Sequence, residues 1–236
     1  MGAHTIPLVP RDALHEEEVE SRWEAAPAVG VVIAFQLLLA LVSRTQQWKL
    51  WELPWWVWLI PIGPELALLV PLAWHRPRRR LEQLGQRRTA ALVLLGLVSV
   101  ANAILLLAVV ASLVRGDEKS GAQLLLKAIT VWGTNAIAFG LWYWAFDSGG
   151  PVRRLRPDPP LPDFQFPQME NPQLAEPGWR PQLVDYIYVS FTNSIAFSPT
   201  DTMPLSRRAK LLMLFESAIS SLTVLLVAAR AVNIFK

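Results

Sequence analysis

The sequence predicts an all-α protein, a polytopic bundle of transmembrane helices with five to six crossings. The first observation is composition, since 53% of the 236 residues are apolar, 17% are charged and the mean hydropathy is +0.31. Average soluble domains are about 45–50% apolar and about 25% charged. The second observation is that the apolar residues form stretches long enough to cross a hydrocarbon layer of about 30 Å. Lipid is therefore the predicted solvent for much of the chain.

Four apolar stretches predict uninterrupted spans, at 25–43, 89–114, 124–146 and 209–235. The short polar loop RGDEKSGA joins the second and third of these as an antiparallel pair. A further apolar stretch, 53–74, contains Pro54, Pro61, Pro64 and Pro71. Because proline removes a helix hydrogen bond and clashes with the preceding turn, this stretch predicts a kinked or broken helix, with a re-entrant segment as the alternative.

Basic residues concentrate in the loop after the second apolar stretch, as Arg76, Arg78, Arg79, Arg80, Arg87 and Arg88. This cluster accounts for the net charge of +3, so the charge does not indicate a nucleic-acid partner. Membrane proteins keep such clusters on the cytoplasmic side, where they also contact anionic lipid headgroups. The cluster therefore predicts a cytoplasmic N-terminus and membrane lipids as partners.

The chain divides into four regions by composition. An acidic N-terminal segment, 1–24, precedes a four-helix transmembrane region, 25–147. The connection 148–181 holds nine of the 19 prolines, and the region 182–236 follows it. We interpret the connection as an extended, largely polyproline-like cytoplasmic segment, pinned to the surface by Phe164, Phe166 and Trp179.

The segment QLVDYIYVSFTNSIAFSPTD, 182–201, is too polar to face lipid alone. It predicts a helix shielded by protein, which is either a half-length pore-loop helix at 182–197 or a polar span buried in the bundle. A full crossing gives six spans and is the interpretation that we favour. Five spans with a pore loop that enters from the cytoplasm is the alternative.

SFTNSIAFSPTD resembles the pore helix and filter of tetrameric potassium channels, and the likeness continues through Pro204 to Glu216. The resemblance implies channel-like architecture and a homo-oligomer, a tetramer if the chain is channel-like. The filter positions are occupied by Ala196, Phe197, Ser198, Pro199 and Thr200. Potassium selectivity needs a ring of backbone carbonyls, and glycines allow the backbone to adopt it. Potassium selectivity is therefore not predicted.

The block DYIYVSFTNSIAFSPTDTMPLSRRAK, 185–210, also resembles an uncharacterised family of predicted bacterial integral-membrane proteins, which have no established activity. The arginine-rich loop and the Phe-Pro in the connection belong to the same resemblance. It implies a multi-pass protein of the cell inner membrane.

The candidates for an ion pathway are the polar residues of the C-terminal region: Asn193, Ser194, Ser198, Thr200, Asp201 and Glu216. Glu216 interrupts an apolar span, and charges that persist in a membrane face a bundle interior or water. The structural alternative pairs Glu216 with Lys210 or Arg208. Glu65 is interpreted as the start of the second half of a broken helix, at its positive dipole end. Three mid-span polar residues are expected to hydrogen-bond across helices: Asn102, Thr134 and Asn135.

The sequence lacks the motifs G-x-S-x-G and H-E-x-x-H and a glycine-rich phosphate loop, and its three histidines are scattered. We therefore expect no enzyme, catalytic residue, metal or cofactor. The first functional hypothesis is a cation or proton pathway that is not potassium-selective. The alternative is a non-conducting scaffold or regulatory protein that docks a cytoplasmic partner through the Pro-rich connection.

Overall fold

A computed structural model of the protein describes residues 25–47, 55–73, 87–115, 121–154, 158–196 and 201–234. Predictions about the acidic segment 1–24, the cluster arginines 76 to 80 and the filter-like positions 197–200 lie outside these residues. Arg87 begins a helix, and Arg88 is exposed in its first turn.

The described chain is mostly helical. Its helices are α1 (Ala25–Thr45), α2 (Ile62–Ala73), α3 (Arg87–Arg115), α4 (Gly121–Phe146), α5 (Pro151–Arg154), α6 (Pro167–Glu170), α7 (Leu183–Ala196) and α8 (Arg207–Ile234). Four of them, α1, α3, α4 and α8, are long and apolar enough to cross a membrane. These four occupy the predicted uninterrupted spans, so an all-α bundle with four membrane-type helices is confirmed.

The proline-containing stretch is broken, as predicted. A short 3-10 helix, Trp55–Leu59, is followed by a turn at Ile60 and Pro61, and α2 starts at Ile62. The 12 residues of α2 rise about 18 Å, which is less than the hydrocarbon thickness of about 30 Å. Glu65 lies in the first turn of α2, at the end of the helix where its carboxylate was expected.

Helix α4 is the centre of the bundle and packs against α1, α3, α7 and α8. Apolar residues of α1, α3 and α4 form its buried contacts, among them Val32, Val98 and Leu141. The outer face of α3 exposes Val100, Ile104 and Leu107, each by more than half of its surface. Aliphatic side chains at this spacing form one stripe along a helix, and such a stripe suits contact with lipid.

Helices α4 and α7 approach each other closely at Gly140. A Cβ atom at this position would lie 2.9 Å from the Cα atom of Ile187. Because the contact is with backbone, the two helices would have to move apart to admit a methyl group. Small residues allow this kind of approach between membrane helices.

We expect Gly140→Ala to lower the free energy of unfolding by about 1–3 kcal/mol through overpacking. The matched control is Gly96→Ala on α3, where an added Cβ meets nothing within 4 Å. This control should be neutral or stabilising by up to about 1 kcal/mol, because alanine is the better helix former. Chemical denaturation in detergent measures both changes, and equal effects at the two sites would contradict the close approach.

The Pro-rich connection is more folded than predicted, and the polyproline-like interpretation is wrong for much of it. One-turn helices α5 and α6 begin at Pro151 and Pro167, and a 3-10 turn begins at Pro172. Proline suits the first helical position, because its fixed φ is already helical and its missing N–H has no partner there. The expected anchors are confirmed: Phe164 and Phe166 are buried, and the Trp179 ring lies 5.8 Å from that of Phe166.

The chain enters and leaves α7 at the same end of α4. Before α7, β1 (Phe164–Gln165) pairs in antiparallel fashion with β2 (Met203–Pro204), which follows α7. The backbone N–H of Leu205 also donates to the Asp163 carbonyl at 2.8 Å. The pairing therefore places the residues that precede α7 beside those that follow it, and the observed bounds of α7 lie within the predicted 182–197.

Candidate functional site

Polar side chains from three helices meet in the interior of the bundle. Helix α7 presents Ser190 and Asn193 on one face, α4 contributes Tyr143, and α8 contributes Glu216. We call these four residues the polar cluster. Each is at most 2% exposed. The surrounding protein therefore shields these side chains from solvent.

Glu216 is held by three uncharged side chains. Its Oε2 atom accepts hydrogen bonds from the Tyr143 hydroxyl and from Asn193 Nδ2, the latter at 2.7 Å. Its Oε1 atom is in hydrogen-bond contact with the Ser190 hydroxyl, which is also 2.5 Å from the carbonyl oxygen of Ala136. The carboxyl group thus bridges all three helices.

The predicted pairing of Glu216 with Lys210 or Arg208 is wrong. Lys210 is six residues earlier on α8, which is about 9 Å along the axis, and it is exposed. Arg208 instead points its Nη2 atom at Asp163 Oδ1, 3.4 Å away. The two basic residues do not reach Glu216 because Glu216 lies on the side of α8 that faces α4 and α7, whereas they point in other directions around the helix axis.

Further amide contacts fix the cluster in place. Asn193 Nδ2 also donates to the Met213 carbonyl at 3.1 Å, and Ser217 Oγ lies 3.2 Å from Asn193 Oδ1. Asn135 Nδ2 donates to Ser220 Oγ at 3.1 Å, which confirms the expected contact across helices for Asn135.

The same expectation fails for Asn102 and Thr134. Both are buried, but Asn102 Oδ1 and Thr134 Oγ1 find no hydrogen-bond partner within the described ranges.

The structure brings together only part of the predicted ion pathway. Asn193 and Glu216 are in direct contact, whereas Ser198 and Thr200 lie outside the described residues. Ser194 is buried but its hydroxyl donates to the Phe191 carbonyl of its own helix at 2.9 Å. Asp201 is exposed beyond the end of α7. Ser194 and Asp201 therefore lie outside the polar cluster, and their place in an ion pathway stays a prediction.

Sequence reasoning missed Tyr143 and Ser190. Ser190 and Asn193 are three residues apart and share a helix face with Tyr186, four residues before Ser190, which was a usable signal. Tyr143 lies in the aromatic run LWYWAF. Because the tryptophans of this run are typical of residues at the membrane interface, Tyr143 was not recognised as a hydrogen-bond donor in the interior. Lys127, 1% exposed, is a further buried charge of α4, about 24 Å along the axis from Tyr143.

A second polar cluster closes the end of α4 around Asp147. The Oδ1 atom of Asp147 accepts hydrogen bonds from the backbone N–H groups of Asp163 and Phe164, at 2.6 and 3.2 Å. Its Oδ2 atom accepts one from the Tyr186 hydroxyl and lies 3.6 Å from Arg154 Nη1. The carboxylate of Asp147 therefore ties the Pro-rich connection and α7 to α4.

Arg154 completes this second cluster. Its Nη1 atom donates to the carbonyl oxygens of Trp144 and Asp147 and to the Tyr186 hydroxyl, at 2.9, 3.2 and 2.9 Å. A cation near the last carbonyls of a helix is favoured by the helix dipole. A cavity of about 520 Å³ lies beside it, with Trp144, Arg154 and Trp179 in its wall.

Phe164 contacts both clusters. Its ring centroid lies 5.0 Å from that of Tyr143 and 6.1 Å from that of Tyr186. The apolar ring of Phe164 thus contacts one tyrosine of each cluster: Tyr143, which binds Glu216, and Tyr186, which binds Asp147.

Another buried carboxyl group lies in a different part of the bundle. Glu65 of α2 is fully buried, and its Oε1 atom accepts a hydrogen bond from Gln36 Nε2 of α1 at 3.0 Å. Within the described ranges, no group of three or more His, Asp or Glu side chains is placed to hold a metal ion. Comparison with protein-family models, curated proteins and solved structures gives no match to this chain.

Proposed function

We propose that the chain is a multi-pass protein of the bacterial inner membrane that provides a cation or proton pathway through α4, α7 and α8. Glu216 binds the ion in this pathway. The observation that carries the proposal is that the carboxyl group of Glu216 is fully buried on a helix apolar enough to cross a membrane. The three side chains that bind this carboxyl group are all uncharged.

A buried carboxylate without a cationic partner is costly, so it holds a proton or a cation. Ionisable groups inside membranes commonly belong to ion or proton pathways for this reason. The polar cluster thus has the chemistry of an ion-binding site, whereas a purely structural contact between helices needs only neutral groups such as Asn135 and Ser220.

The proposed topology has five crossings, with α7 as a re-entrant helix that enters from the cytoplasmic end of α4. Four crossings are α1, α3, α4 and α8, and the fifth is the broken stretch in which the 3-10 helix Trp55–Leu59 and α2 together span the layer. The 14 residues of α7 rise about 21 Å, short of a full crossing. Its return to β2 beside β1 supports this arrangement. A homo-oligomer, tetrameric if the resemblance to potassium channels extends to assembly, belongs to the same proposal.

A scaffold that docks a cytoplasmic partner is the second candidate function. Leu161 and Leu174 of the Pro-rich connection are 90% and 83% exposed, and exposed leucines on a polar surface favour contact with another protein. This function requires no ion flux.

Flux into liposomes distinguishes the two functions. We expect the purified protein to carry protons or cations. Glu216→Gln should reduce flux to that of liposomes without protein, because a glutamine side chain can neither release a proton nor neutralise a cation. Glu170→Gln is the matched control, since Glu170 is exposed on α6 and its variant should keep the flux of the wild type. Equal flux in the wild type and the Glu216 variant, or none in either, would contradict the proposed pathway.

A further inference from the structure

We infer that the ion bound at Glu216 is a proton, which the carboxyl group holds in the resting protein and donates toward Ser190. This assignment rests on the proposed function, because it takes Glu216 as the residue through which the ion passes. It follows from the placement of hydrogen atoms around the two carboxyl oxygens.

The hydroxyl of Ser190 has one hydrogen atom but contacts two oxygen atoms, Glu216 Oε1 and the Ala136 carbonyl. If Glu216 were ionised, both would be acceptors, and one contact would join two oxygens with no hydrogen between them. A proton on Oε1 removes this conflict. The carboxyl O–H then donates to Ser190, and the Ser190 O–H donates to Ala136.

The other carboxyl oxygen fits the same assignment. Glu216 Oε2 accepts from the Tyr143 hydroxyl and from the Asn193 amide nitrogen, and these two donors use the two lone pairs of a carbonyl oxygen. The O–H donor of a neutral carboxylic acid and both lone pairs of its carbonyl oxygen are therefore satisfied by described side chains. Buried polar networks are stable when each member has its partner.

The orientation of Asn193 argues against a metal cation at this site. Its Nδ2 atom lies 3.1 Å from the Met213 carbonyl, which can only accept, so the nitrogen and not the oxygen of the amide faces Glu216. A hard cation requires several oxygen lone pairs directed at one point. The polar cluster instead directs hydrogen atoms at the carboxyl group, which suits a proton.

The described side chains that bind Glu216 include no cation, so a bound proton is what makes its carboxyl group neutral. Helix α4 faces Glu216 with Tyr143, α7 with Ser190 and Asn193, and all three are uncharged. The charged pair at the end of α4, Asp147 and Arg154, lies one turn beyond Tyr143 and is compensated within itself at 3.6 Å.

Infrared spectroscopy of the full-length protein in lipid tests this inference. We expect a carbonyl-stretch band of a protonated carboxyl group at neutral pH that is present in the wild type and absent in Glu216→Gln. This variant should fold, because the glutamine amide can donate to Ser190 and accept from Tyr143 and Asn193. The band should remain in the control Glu65→Gln, which removes another fully buried carboxyl group.

Tyr143→Phe adds a readout that a merely structural role would not move. Loss of a hydrogen bond to the carbonyl oxygen strengthens the C=O bond, so the band should move to higher wavenumber. A folded Glu216→Gln protein with a spectrum identical to that of the wild type in this region would overturn the inference.

Ion selectivity separates this inference from the proposed function. Proton flux without sodium or potassium flux supports both. Sodium or potassium flux that depends on Glu216 would overturn the proton assignment and leave the pathway standing. If no ion is carried, the proposed function fails, and the infrared band still decides whether Glu216 holds a proton.

Discussion

Asp147→Ala is expected to lower the free energy of unfolding by about 3–5 kcal/mol, because removal of one partner of a buried ion pair leaves the other charge uncompensated. The variant would leave Arg154, whose side chain is 11% exposed, without its carboxylate partner. It would also leave the backbone N–H groups of Asp163 and Phe164 and the Tyr186 hydroxyl without their acceptor. Chemical denaturation in detergent, followed by circular dichroism, measures the change.

Two comparisons isolate the cause of the Asp147 effect. Asp158→Ala removes an exposed carboxylate of the same connection, and we expect a change within about 0.5 kcal/mol. Asp147→Asn keeps the shape and one carbonyl acceptor, so its loss of stability should fall between those of the two alanine variants. A wild-type unfolding curve for Asp147→Ala would refute the role of this carboxylate in joining the connection to α4.

Phe164→Ala should destabilise the protein by about 3–5 kcal/mol, the range for removal of a buried aromatic side chain. Phe164 is 1% exposed and packs against Tyr143 and Tyr186. The cavity left by the ring would adjoin the Tyr143 ring and so loosen the polar cluster around Glu216. The same denaturation assay gives the stability change.

Leu161→Ala is the control for Phe164→Ala. It shortens an apolar side chain three residues earlier that is 90% exposed, and it should leave the unfolding curve within about 0.5 kcal/mol of the wild type. Similar curves for the two variants would mean that the Pro-rich connection is not packed onto α4 and α7.

The folded structure of the Pro-rich connection could not be predicted from its composition. Nine prolines favour extended chain, and that local preference led to the polyproline-like interpretation. The buried carboxylate of Asp147 accepts from the backbone of Asp163 and Phe164, and Phe164 enters the aromatic core. Contacts over 16 or more residues therefore outweigh the local preference of the chain.

The return of the chain after α7 to the residues that precede it was also beyond local reasoning. The polarity of 182–201 correctly indicated a shielded helix, but it could not distinguish a crossing from a return to the same side. The pairing of Phe164 with Pro204 brings the chain back beside β1, and two-residue strands in such a sequence carry no alternating pattern that would predict it. Hydropathy indicates how favourable it is for a segment to lie in lipid. It contains no information on where in the fold the chain continues after that segment.

The sequence by itself determined the four membrane-type helices, the break at Pro61 and the burial of a carboxyl group at position 216. Apolar length, proline geometry and the cost of charge in lipid are local properties, and each can be read from a short window. Only the tertiary structure decided that Glu216 meets Tyr143, Ser190 and Asn193, which are 73, 26 and 23 residues away. The rotation of each helix and the close approach at Gly140 set these contacts, because packing against α4 fixes which face of α7 and α8 turns inward.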